Sequence, residues 1–356
     1  VTGPQPRPSV AAMPAYVAGK PAPADAFKLS SNENPYPPLP GVLEAAVTAA
    51  ASMNRYPDMG NTALYAALAE TYGVPVADLA VATGSTGLIY GLLTAFCEPD
   101  DEVVYAWRSF EAYPIAVLAA GARSVQVPLT ADGRHDLDAM AAAIGPRTRV
   151  VLLCSPNNPT GPALTQAEVD DFLACVPDDV LVVLDEAYIE FVRIDDPVDG
   201  VATYRRHDNV AVVRTFSKAY GLAGFRIGYA VAPSPVAAAL RGVTLPFGVN
   251  LVAQAAAVAS LQSRAELAER VDALVAERTR VVEALRAAGW AVPDAQGNFV
   301  WFALDPDRIP AFTAAAESAG LMVRPLGEDG VRVSIGEVEA NDRLIDLAAR
   351  WRTEPV

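Results

Sequence analysis

Of the 27 basic residues in this 356-residue chain only three are lysines, Lys20, Lys28 and Lys218, and the rest are arginine. Arginine stays protonated at any working pH, whereas a lysine amine can lose its proton and attack a carbonyl carbon. A composition that uses arginine almost everywhere yet keeps one lysine beyond residue 28 marks Lys218 as a candidate nucleophile. Its neighbours sharpen the reading. Thr215 and Ser217 precede it, and Arg226 follows behind the glycine-containing stretch Gly221-Leu222-Ala223-Gly224-Phe225. Hydroxyls with a guanidinium make half of a phosphate site.

Three other segments carry residue types suited to the same chemistry. Thr83-Gly84-Ser85-Thr86-Gly87 opens an apolar helical stretch at 88–96. Small residues at a helix start expose free N–H groups toward an anion, although such a start also serves as a plain cap. The chain has neither a Walker loop nor a G-x-G-x-x-G run. Asn157-Asn158-Pro159-Thr160-Gly161 follows an apolar strand, and two adjacent amides exceed what the turn requires, so one can point into a crevice as a donor. Asp185 ends the apolar run Val182-Val183-Leu184. A desolvated carboxylate there needs a cationic partner: a protonated ring nitrogen, or simply a nearby arginine.

The elements that must position these residues follow from the hydrophobic pattern. Strands are predicted at 102–106, 124–128, 149–154, 180–185, 210–215 and 227–232, with helices between them such as 137–144 and 166–175. Near-continuous apolar strands separated by helices indicate a largely parallel α/β sheet covered on both faces, with ligands at the strands' carboxyl ends. After residue 246 the pattern changes to a long helical stretch at 254–288, strands at 299–303 and 331–335, and helices at 311–319 and 340–351. This predicts an arm at 1–27, a large domain at 53–244, and a smaller α+β domain from 28–52 and 245–356.

A 52% apolar content excludes disorder, and no aliphatic run reaches the ~20 residues needed to span a bilayer. A net charge of −15 argues against a nucleic-acid surface and leaves small metabolites as partners. Three cysteines and two histidines, widely scattered, offer neither a disulfide framework nor a metal site. The proline-rich opening lacks the apolar core of a secretory signal and reads as a flexible arm, and a reducing cytoplasm is the expected compartment.

Together, Asn157-Asn158-Pro159-Thr160-Gly161, Asp185-Glu186-Ala187-Tyr188 and Ser217-Lys218-Ala219-Tyr220-Gly221-Leu222-Ala223-Gly224-Phe225-Arg226-Ile227-Gly228 resemble fold-type I pyridoxal-phosphate aminotransferases. Ser31-Asn32-Glu33-Asn34-Pro35 and Asn54-Arg55-Tyr56-Pro57-Asp58 narrow the likeness to the histidinol-phosphate aminotransferase group. Trp107-Arg108-Ser109-Phe110-Glu111-Ala112-Tyr113-Pro114 and Val323-Arg324-Pro325-Leu326-Gly327 resemble its actinobacterial aromatic amino acid (phenylalanine) branch. The resemblance implies a large domain with a mostly parallel seven-stranded sheet plus a smaller α+β domain. It implies that Lys218 forms the aldimine with pyridoxal 5'-phosphate and shuttles the proton, and that Asp185 keeps the pyridine nitrogen protonated. Asn158 and Tyr188 would hydrogen-bond the ring hydroxyl, and Phe110 would stack on the ring. Ser85, Thr86, Thr215, Ser217 and Arg226 would hold the phosphate, joined by Tyr56 from the second subunit of a homodimer. Arg332 would clamp the substrate carboxylate, with Arg324, Tyr16 and Asn34 also on the substrate side.

The residue types suit such a cofactor independently of the likeness. A carbanion at Cα spreads into a pyridine ring only if the ring nitrogen stays protonated, and a freed lysine amine can move the Cα proton. The expected reaction is ping-pong exchange between aromatic L-amino acids and 2-oxoglutarate, with histidinol phosphate as the alternative donor. Trp107 and Tyr16 supply flat walls for an aromatic ring, and Arg324 suits a side-chain phosphate or a distal carboxylate. A regulator with an aminotransferase-like domain would need a basic helix-turn-helix extension, which the sequence lacks, and a lyase or decarboxylase would release carbon dioxide instead.

Overall fold

The computed structural model describes residues 3–353. Its main sheet has seven strands: β1 Leu79–Ala82, β2 Glu102–Trp107, β3 Arg123–Pro128, β4 Thr148–Cys154, β5 Leu181–Asp185, β6 Val210–Thr215 and β7 Gly228–Val231. They lie in the order β1-β7-β6-β5-β4-β2-β3. Only β7 runs against the others, pairing antiparallel with both β1 and β6. The central strands are apolar on both faces because helices cover both sides. β1 was absent from the predicted strands. Its four residues Leu79-Ala80-Val81-Ala82 are all buried, and so short an apolar run has no alternation to reveal it.

A second sheet has the order β9-β10-β8, from β8 Phe299–Phe302, β9 Arg324–Leu326 and β10 Gly330–Ser334. β9 and β10 form a hairpin in which Arg324 faces Arg332. β9 lies outside the predicted strands; its Pro325 sits on an edge strand, where its missing N–H costs no ladder bond. The N-terminal segment joins this part of the molecule: Phe27 and Lys28 pair in parallel with Leu321 and Met322, and the Ser334 amide donates to the Leu29 carbonyl.

The single helix predicted at 254–288 is two, Leu251–Gln262 and Arg264–Ala287, broken at Ser263. The Ser263 hydroxyl donates to the carbonyls of Ala259 and Pro40, a side-chain bond that competes with the helical ladder. The break lets the first helix bury Ala253, Ala256 and Ala257 while the second continues independently. Near the N-terminus, residues Pro8–Ala11 form a helical turn, and Arg7 donates to the Ala119 carbonyl at 2.6 Å. The part of the predicted arm at positions 1 and 2 lies outside the described residues.

Candidate active site

β5 delivers Asp185 to the carboxyl edge of the sheet, where it is 3% exposed. The Tyr113 hydroxyl donates to its Oδ2 at 2.7 Å, while Oδ1 is buried with no hydrogen-bond partner among the described residues. Burial pushes the carboxyl up to about 6, against the pull of the Tyr113 hydrogen bond. A buried oxygen left open in this way is the mark of a missing donor.

The adjacent amides after β4 divide their labour. Asn157 is tied into the loop: Ser109 donates to its Oδ1 at 2.7 Å, and its Nδ2 donates to Thr160 Oγ1 at 2.7 Å. Asn158 turns the other way, its Oδ1 accepting from Arg332 Nη1 at 2.6 Å, which leaves its amide nitrogen as the outward donor. Tyr188 is buried, and its hydroxyl accepts from Asn32 Nδ2 at 2.9 Å.

Lys218 is drawn into the same region. Its Nζ donates to the Ser31 carbonyl at 3.0 Å and lies 5.7 Å from the centroid of the Tyr188 ring. Burial, and then the nearby Arg332 charge, lower its pKa to about 7, so a large fraction of the amine is unprotonated near neutrality. Arg332 is buried as well. Its terminal nitrogens reach Asn158 and the Ser30 carbonyl, its Nε has no partner, and no carboxylate lies within ion-pair distance among the described residues.

The expected phosphate ligands gather at the start of helix Gly84–Phe96. Arg226 Nη1 donates to Ser217 Oγ at 3.3 Å, and Thr215 Oγ1 lies 3.0 Å from the same oxygen. A Cβ on Gly84 would stand 2.7 Å from Arg226 Nη2, and one on Gly228 would stand 2.6 Å from the Ser85 amide, so both glycines keep the cradle open. Thr86, Arg226, Phe110 and Tyr16 line a cavity of about 910 Å³, whose outer wall runs through Pro246 and Phe247. Lys218 and Asp185 are not on its wall.

One expected residue has another task. Asn34 gives its amide to the carbonyls of Ala219 and Lys218 and so fixes the lysine's backbone instead of facing a substrate. Tyr56, expected to serve the site of a second subunit, is 81% exposed and stacks on Phe247 at 4.6 Å. Sequence reasoning missed Tyr113 and Asn32. Asn32 is fully buried, takes a positive φ of 52°, and links Tyr188 to Ser334. Its signal was its place inside Ser31-Asn32-Glu33-Asn34-Pro35, where Asn34 drew attention instead.

A carboxylate at a strand's carboxyl end with one open oxygen, a buried lysine of lowered pKa, a hydroxyl–guanidinium cluster at a helix start and an arginine without an acid are residue types suited to an aromatic-nitrogen cofactor bearing a phosphate. Residues 24–347 match the family model described as aminotransferase class I and II, and the chain belongs to that family; it is an aminotransferase. It is 57% identical over 356 residues to an aromatic amino acid aminotransferase of Streptomyces coelicolor, covering 99% of each chain. A protein of the same description from Thermobifida fusca is 52% identical over 324 residues, covering 91% of this chain and 90% of that one. Among solved structures, histidinol-phosphate aminotransferase from Sinorhizobium meliloti in complex with pyridoxal-5'-phosphate superposes with a TM-score of 0.87 at 30% identity, over 96% of this chain and 95% of that one. Aspartate aminotransferase from Thermus thermophilus with maleate gives 0.81 at 26% identity, over 92% and 91%. No helix among the described residues is long and apolar enough to cross a membrane.

Proposed function

We propose that this enzyme uses pyridoxal 5'-phosphate to exchange the amino group between aromatic L-amino acids and 2-oxoglutarate in a ping-pong sequence, as a cytoplasmic homodimer. The observation that carries the reading is Arg332, a buried guanidinium held by two neutral oxygens and lacking an acid, which needs an anion such as a substrate carboxylate. The names of the relatives favour aromatic donors over histidinol phosphate.

The residues fit the cofactor. The open Asp185 Oδ1 suits a protonated ring nitrogen, and Ser85, Thr86, Thr215, Ser217 and Arg226 suit its phosphate. Asn158 and Tyr188 would partner a ring hydroxyl, and Phe110, packed edge-on against Tyr113 at 5.6 Å, would cover one ring face and exclude water. When bound, the cofactor supplies an electron-poor ring that spreads the charge left when the substrate Cα–H bond breaks. Asp185 holds the proton on the ring nitrogen throughout. The Lys218 amine takes the proton from Cα, a task matched to its pKa of about 7. Arg332 fixes the carboxylate so that Cα faces the lysine.

Dimerisation is supported by exposed Met53, Tyr56, Met59, Leu245 and Phe247, an apolar surface around the cavity's outer wall. Tyr56 from the partner would complete the phosphate site. The test is a donor comparison with phenylalanine, tyrosine, tryptophan and histidinol phosphate, with 2-oxoglutarate as acceptor. The aromatic donors are expected to exceed the phosphate ester in kcat/KM; equal or faster turnover of histidinol phosphate would refute the assignment.

A further inference from the structure

The hairpin register makes Arg324 and Arg332 direct cross-strand partners, so their side chains share one face of the sheet. Both are buried, at 5% and 7% exposure. Like charges in that relation repel, and the repulsion is strong where water is excluded. The two arginines are relieved differently. Arg332 has only neutral partners. Arg324 forms an ion pair with Glu111 Oε2 at 2.7 Å, donates to the Val17 carbonyl, and lies over the Tyr16 ring at 5.9 Å.

Glu111 comes from the other side of the site. It follows Phe110, the ring-covering residue, and precedes helix Ala112–Ala120. Its charge cancels Arg324, leaving one uncompensated cation on this face of the hairpin. We propose that Glu111 determines substrate class by occupying Arg324, so that the site accepts one carboxylate at Arg332 and a neutral flat side chain beside Tyr16. A donor or acceptor with a second anion must displace Glu111 and leave that carboxylate partly buried without its partner, a penalty that an uncharged side chain avoids. Glutamate and 2-oxoglutarate meet this penalty too, which makes the selectivity graded. Glu111 acts through Arg324 and is a positioning residue. The inference rests on the reading of Arg332 as the carboxylate clamp.

The test uses the holoenzyme and two non-reacting acids, glutarate and 3-phenylpropionate, whose inhibition constants report binding without turnover. In Glu111→Gln the affinity ratio of glutarate to 3-phenylpropionate is expected to rise at least about tenfold. In the double variant Glu111→Gln/Arg324→Gln the gain should vanish, because it depends on a freed Arg324. An unchanged ratio in folded Glu111→Gln, or a gain that survives loss of Arg324, overturns the proposal. Should circular dichroism show that Glu111→Gln does not fold, Glu111→Asp, which withdraws the acid from Arg324, is expected to give a gain of at least about threefold, and an unchanged ratio there overturns it equally. Failure of the wild-type enzyme to use phenylalanine would instead sink the underlying function, so the two failures are separable.

Discussion

Replacing Tyr113 with phenylalanine removes one hydroxyl from a fully buried position and little else, so it isolates the hydrogen bond to Asp185. That bond is 2.7 Å long and reaches a carboxylate whose other oxygen has no partner. A hydrogen bond to a charged group contributes about 1.5–3 kcal/mol, which at 1.36 kcal/mol per pKa unit is roughly one to two units. In the wild-type apoprotein Asp185 lies at about 6, above its ordinary 3.8. In Tyr113→Phe it should therefore reach roughly 7–8. A carboxyl raised on folding favours the folded state fully at low pH, and that contribution is lost as pH rises through its folded pKa. Wild-type apoprotein should lose stability between about pH 4 and 6 on this account, and the variant should go on losing it for a further one to two units. Above pH 8 the variant should then be less stable by about 1.5–3 kcal/mol, beyond any difference already present at low pH. Urea midpoints of the cofactor-free protein at closely spaced pH values measure this directly. Parallel profiles for the two proteins would refute the claim that the Tyr113 hydroxyl holds Asp185 ionised.

Because only the unprotonated Lys218 amine can attack a carbonyl, recombination of apoprotein with pyridoxal phosphate should accelerate as pH rises through about 7 and then level off. Stopped-flow absorbance checks this, and a midpoint near the ordinary lysine value would contradict the role given to burial. Lys218→Ala should lose both the visible cofactor band and turnover; a normal spectrum and rate would remove Lys218 from the mechanism. Gly84→Ala places a Cβ at φ 83° and 2.7 Å from Arg226, so cofactor affinity should fall at least about tenfold by fluorescence titration, with secondary structure unchanged.

What the sequence disclosed and what it hid follow a physical division. Asp185 and Lys218 were legible because each contradicts its local background, an acid ending an apolar strand and a lysine in an arginine-rich chain. The strand alternation was legible because burial on both faces leaves continuous apolar runs. β1 was too short to show a period, and Pro325 disguised β9. The pairing of Arg324 with Glu111 had no local signal at all, since it joins residues 213 positions apart and depends on the hairpin register. For the same reason nothing nearby distinguished Asn158 from Asn157, or Asn32 from Asn34: their orientations are set by distant strands.

Residues 30–34 tie the N-terminal stretch to the site and to the last strand. Ser30 meets Arg332, Ser31 meets Lys218, Asn32 meets both Tyr188 and Ser334, and Asn34 braces the lysine's backbone. During synthesis this early stretch waits until the last strand has left the ribosome before Ser30 and Asn32 gain their C-terminal partners. A chain stopped short of β10 would carry its phosphate cradle and Asp185 but lack the guanidinium that orients Asn158. The stretch at residues 30–34 is therefore tied to β10 only once that last strand has been made.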